Sequence, residues 1–209
     1  MALPHLIEDK QRAWMFKVIT QSVEPQLNAC LIAFFMASGL TTLELCRVQV
    51  KDVLKKNGEL NKCFAVKGDV ARDFYLSNSK LQSYIHAYLE VRKVDGDNPD
   101  QYNGFDPDES FFKRKNGDVF KLKRRKTDKG SNVYHCNALN AHIKRILADS
   151  GIEQPSIKSG RRTLAVRLKR HGVDVPTIHK MLGNKSLETT LRLIETDTVS
   201  MLAIADMAF

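Results

Sequence analysis

None of the four cysteines, Cys30, Cys46, Cys63 and Cys136, is part of a Cys-x-x-Cys pair. Neither a zinc ribbon nor a disulfide framework is therefore indicated, and buried, reduced thiols are expected, three of them lying in apolar runs. No metal site and no cofactor are expected. No apolar run approaches the roughly 20 residues that a bilayer-spanning helix needs, and the segment from Met1 to Lys10 turns charged too soon for a secretory signal. The expectation is a cytoplasmic protein with no membrane partner. Internal repeats and low-complexity tracts are missing as well. Acidic residues are in short supply: 24 Asp and Glu stand against 33 Lys and Arg, a net charge of +9 with a pI near 9.4. That imbalance points to a polyanionic partner, nucleic acid ahead of a membrane surface. Tyrosine is absent from everything after Tyr134; the five are Tyr75, Tyr84, Tyr88, Tyr102 and Tyr134.

What is present suits one domain over residues 1–209. The chain is 43% hydrophobic, enough for a single sizeable core. Ala13, Trp14, Phe16 and Ile19 among charges predict a first surface helix over 8–20. Pro25 opens a second, whose Leu27, Cys30, Leu31, Phe34 and Phe35 recur at helical spacing before Ser38-Gly39 stops it. Thr41 and Glu44 have the spacing of a capping box. Residues 63–66 and 71–76 read as two strands around a Lys67-Gly68-Asp69-Val70 turn. A helix follows Ser79, then a long acidic loop over 93–109. The basic segment containing Lys113 to Lys115 and Lys121 to Lys129, with Arg124 and Arg125 at its centre, has few apolar anchors. It fits a solvated loop and a clamp on a DNA backbone equally well. Further helices are expected from Leu139, from a cap at Ser159, between Asp174 and Gly183, and from a cap at Ser186. The fold class is α+β, mainly helical, with a small antiparallel sheet.

The C-terminal third holds an ordered set of motifs: Arg161-Arg162-Thr163-Leu164, then His171-Gly172-Val173, then Leu182-Gly183-Asn184-Lys185-Ser186, then Thr189-Thr190. This succession resembles the catalytic domain of the tyrosine recombinases, the phage integrase family, from about residue 8 to 200. The N-terminal core-binding domain that most members carry has no counterpart here. The resemblance implies that two Arg, a Lys, two His-type residues and a nucleophilic Tyr converge on one DNA phosphate. Position by position, most are replaced. Thr41 follows Gly39-Leu40 where the first Arg belongs. Lys67 matches the hairpin Lys. Lys158 stands for the first His-type residue and Arg161 keeps the second Arg. Asn184 replaces the second His-type residue, and Leu193 occupies the place of the Tyr.

No catalytic residue is therefore assigned. Leu193 has no hydroxyl, and Thr196, Thr198 and Ser200 have no following His to activate them. The basic face persists, and Lys67, Lys158, Arg161, Arg162, Asn184, Lys185, Arg192, Arg124 and Arg125 are the candidate contacts to double-stranded DNA. The implied role is a DNA-binding, integrase-like protein of DNA recombination that lacks strand cleavage and acts as an accessory or regulatory factor of a mobile element. The alternative is an active, divergent recombinase with an unusual or partner-supplied nucleophile. The apolar tail over 199–209 fits both a last core helix and an arm docking on a second copy or on an active recombinase.

Overall fold

The computed structural model describes residues 3–92, 100–126, 130 and 132–195. The helices are α1 (Asp9–Ile19), α2 (Pro25–Ala37), α3 (Thr42–Cys46), α4 (Val50–Val53), α5 (Ser79–Val91), α6 (Asn137–Asp149), α7 (Ser159–Arg170), α8 (Val175–Leu182) and α9 (Leu187–Ile194). Two antiparallel hairpins interrupt them: β1 (Cys63–Ala65) with β2 (Asp73–Tyr75), and β3 (Lys123–Lys126) with β4 (Asn132–His135).

α2 is the axis of the core because it is apolar nearly all round. Leu27, Cys30, Leu31, Ile32, Phe34, Phe35 and Met36 are all buried on it. α5 packs along α2 with Leu81, Ile85, Tyr88 and Leu89 turned inward. Phe34 sits at the centre of an aromatic cluster, its ring 5.8 Å from those of Phe74 and Phe111 and 5.3 Å from that of Phe112. Burying a ring of this size contributes about 1.5–3 kcal/mol. A second, smaller cluster of Ala165, Ile178, Leu182 and Leu193 holds α7, α8 and α9 together. Gly160 joins the two. A Cβ there would lie 2.3 Å from the Phe35 carbonyl oxygen, so the start of α7 lies flush against the backbone of α2.

The mainly helical α+β class and the first hairpin agree with the pattern in the sequence. Phe64 opposes Phe74 in that hairpin and both are buried. The single small sheet becomes two separate two-stranded ones, since the basic segment itself forms β3. Ser159 is no cap: it is the first residue of α7, Lys158 occupies the N-cap position, and the Ser159 hydroxyl is buried without a partner. Trp14, placed among the apolar residues of the first helix, is 53% exposed, and Met15 and Ile19 fill the inward side. Burial of the thiols holds for Cys30 and Cys136; Cys46 is half-buried and Cys63 exposed. The whole apolar tail at 199–209 and the first part of the acidic loop, residues 93–99, lie outside the described residues. Among those described, no helix is long and apolar enough to cross a membrane, and no group of three or more metal-ligating side chains comes together.

Candidate nucleic-acid interface

The site is built where two tight turns meet the start of α7. Gly39, with φ of 62°, ends α2 and turns the chain into α3; Gly183, with φ of 61°, ends α8 and turns it toward α9. Glycine adopts this left-handed conformation at little cost. Arg161, on the first turn of α7, reaches both turns. Its Nη1 donates to the Gly39 carbonyl, and its Nη2 donates to Asn184 Oδ1 at 2.5 Å. A guanidinium carries five N–H groups, so three remain for another acceptor. Burial, with the charge of Arg72 as a smaller contribution, pulls the Arg161 pKa down to about 10, against the opposing pull of Glu44. The group stays charged at neutral pH.

Asn184 is fixed on its other side. Its Nδ2 donates to Thr190 Oγ1 at 2.8 Å, and that hydroxyl also lies 2.9 Å from His179 Nδ1. Arg161, Asn184, Thr190 and His179 thus form one chain of hydrogen bonds. Thr41 lies across the site at the N-terminus of α3. Its hydroxyl donates to Glu44 at 3.0 Å, its backbone N–H donates to the same carboxylate at 2.7 Å, and the capping box expected from the sequence is present. The Glu44 carboxylate also receives Arg72, Nη1 at 2.7 Å and Nη2 at 2.9 Å, from the loop just before β2. Burial raises the Glu44 pKa, but Arg72 and the two Thr41 donors outweigh it and hold the carboxyl below its ordinary value.

The remaining candidates fall into three groups. Lys67 projects from the first hairpin and donates to Gln49 at 2.6 Å and Asp52 at 2.7 Å. Lys185 follows Asn184 and pairs with Asp69 of the same hairpin turn at 2.7 Å. The Lys185–Asp69 pair is exposed on both sides, and pairs of that kind are worth only about 0–1 kcal/mol, so a phosphate can replace the carboxylate there; the Asp52 carboxylate that holds Lys67 is mostly covered. Lys158 and Arg192 are exposed, as are Arg124 and Arg125 on β3. Arg47 connects the two hairpins: its Nη1 donates to the Lys67 carbonyl at 2.9 Å, and its guanidinium stands 5.9 Å from the ring of Tyr134, the residue opposite Arg124.

Arg162 is the exception. Its side chain is buried and donates to the Pro4 carbonyl at 2.5 Å and the Glu195 carbonyl at 3.0 Å. It ties the N-terminal segment and the end of α9 to α7, so it leaves the set of DNA contacts. Leu193 is buried in the apolar cluster with Ala165, Ile178 and Leu182. Arg72, Arg47, Gln49 and Asp52 were not among the candidates. Gln49 and Asp52 cap the start of α4 locally, but the bonds that tie these four residues to the site reach 15 to 109 residues along the chain, which no local pattern shows.

A family model described as the phage integrase family matches residues 6–197. Among solved structures, XerA recombinase superposes with a TM-score of 0.71 at 16% identity, over 100% of this chain and 64% of that one. XerH site-specific recombinase bound to palindromic difH substrate gives 0.63 at 20% identity, over 98% and 53%. A lambda integrase dimer bound to a COC′ core site gives 0.63 at 10% identity, over 93% and 60%. The chain therefore spans less than two-thirds of the length of each. A comparison with functionally curated proteins finds no match.

Proposed function

Because the chain belongs to the phage integrase family, we propose that it grips double-stranded DNA by the sugar–phosphate backbone without cutting it, as an accessory or regulatory factor in DNA recombination or integration by a mobile element. Arg161 and Asn184 make the central phosphate contact. Lys158, Lys185, Lys67, Arg192 and the hairpin residues Arg124 and Arg125 extend it along the strand. The observation that carries the absence of cleavage is Leu193, buried among Ala165, Ile178 and Leu182 where the family resemblance calls for the nucleophilic Tyr. Thr41 supports the same reading, since its hydroxyl is committed to Glu44 and it carries no charge to stabilise a transition state. Support for the partner comes from XerH and lambda integrase, whose structures hold their DNA sites.

A nicked suicide duplex tests the proposal. An active recombinase is trapped on it as a covalent adduct visible on a denaturing gel. Here no adduct is expected, while log affinity for the intact duplex falls linearly and steeply with log salt. A flat salt response removes the DNA-binding claim. An adduct abolished by replacing Thr196, Thr198 or Ser200 establishes instead a divergent recombinase with an unusual nucleophile. One formed only when an active recombinase is added establishes a shared active site. The same preparations, run by solution mass with and without residues 199–209, decide whether the tail joins protomers: its loss then yields a folded monomer.

A further inference from the structure

Two guanidinium groups, not one, bridge the same pair of turns. Arg161 reaches from Gly39 to Asn184. Arg72, from the first hairpin, holds Glu44 at the head of α3 with both terminal nitrogens, and its Nε donates to the Met181 carbonyl at 3.1 Å, at the end of α8. Its guanidinium lies directly against the α8–α9 turn, where a Cβ added to Gly183 would stand 2.5 Å from Arg72 Nη1. The two arginines are close enough that the charge of Arg72 lowers the pKa of Arg161.

We propose that Arg72 is a positioning residue: with Glu44 it clamps the start of α3 to the end of α8, and so holds Arg161 in the one geometry that spans Gly39 and Asn184. The part concerning DNA affinity rests on the function proposed above. Direct contact of Arg72 with a phosphate is disfavoured by its surroundings. Its side chain is 4% exposed, that of Glu44 8%, and the carboxylate neutralises its charge at 2.7 Å. Added stability does not account for the pair either. Taking two charges out of water cancels most of their attraction, and apolar replacements of buried pairs are often neutral or stabilising. What the forked pair does supply is a fixed distance and angle between two segments otherwise joined by Arg161 and apolar packing.

Two variants separate these roles. Arg72→Lys keeps the charge and loses the fork. Glu44→Gln with Arg72→Gln leaves no stranded charge and retains a residue suited to the capping box. Both are expected to weaken duplex binding about tenfold, and adding Arg161→Gln to the double variant is expected to weaken binding no further than Arg161→Gln alone. Losses that add instead, the triple variant binding about tenfold more weakly than Arg161→Gln, make Arg72 a contact independent of Arg161 and overturn the proposal. Unchanged affinity in both variants overturns it as well. The second readout needs no DNA. The Arg161 Nε–Hε signal in nitrogen NMR, assigned by its loss in Arg161→Lys, is expected to exchange with solvent about tenfold faster in Arg72→Lys; an unchanged rate defeats the proposal. If the wild type ignores DNA while this exchange does rise, the proposed function fails and the positioning role stands.

Discussion

Arg161 and Arg162 sit side by side on the first turn of α7, both buried, and differ in what their guanidinium groups meet. Successive helical residues point about 100° apart, so one faces the two glycine turns and the other faces Pro4 and Glu195. Arg161→Ala is expected to weaken duplex binding by about 1–3 kcal/mol and to lower the salt slope by about one. Arg162→Ala is expected to leave the slope alone and to lower unfolding free energy by about 1–3 kcal/mol, because a buried side chain and its two charge-assisted hydrogen bonds to the Pro4 and Glu195 carbonyls are lost. Anisotropy titrations over a salt series, paired with urea melts, measure both; a slope that falls only for Arg162→Ala would reverse the assignment. The motif around Arg161 is local, so its place was legible in the sequence. The inward turn of Arg162 was not, since it depends on a carbonyl 158 residues away.

At the scale of elements, the hydrophobic period located α2, α5 and the first hairpin, because each buries one face or more. β3 escaped that reading for the opposite reason. Lys123, Arg124, Arg125 and Lys126 are all exposed, and a strand with no buried face shows no alternation. α6 was legible through Leu139, Ile143, Ile146 and Leu147, but its polar lock on α2 was not. His142 Nε2 lies 2.7 Å from Asn28 Oδ1, and Arg145 Nη2 stands 3.2 Å from the other ring nitrogen. Arginine only donates, so Nδ1 accepts and the ring is neutral with its proton on Nε2. Burial, with the charges of Arg114 and Arg145, pulls the His142 pKa from 6.5 to about 4 against a weaker opposing pull from Glu24. The unfolded chain takes up a proton near 6.5 that the folded one refuses until about 4. Stability is therefore intact above the first value and falls as pH drops toward the second, by up to about 1.4 kcal/mol per pH unit. Denaturant melts between pH 7 and 4.5 are expected to fall less steeply for His142→Gln than for the wild type. Parallel curves would show that this ring does not titrate on unfolding.

Over the whole molecule, the excess of positive charge has to be located before it explains anything. Arg170 is spent on Glu8 at 2.8 Å and Arg72 on Glu44, while the partly buried pair of Lys113 with Glu109 serves the loop after α5. The exposed cations of β3 differ from these in making no contribution to the core. They continue through Tyr134 and Arg47 to Lys67, and Lys67 shares its hairpin with Asp69, the partner of Lys185 beside Asn184. That continuity favours a clamp over a merely solvated loop, the two readings that composition left open, because a phosphate strand held at Arg161 has further cations along the same surface. The double replacement Arg124→Ser with Arg125→Ser discriminates between them. A clamp predicts a salt slope lower by about two, with binding weakened uniformly across duplex sequences. Folding stability is expected to stay within about 0.5 kcal/mol of wild type, since both residues are exposed. A slope equal to that of the wild type would return β3 to the solvent and confine the DNA contact to the neighbourhood of Arg161.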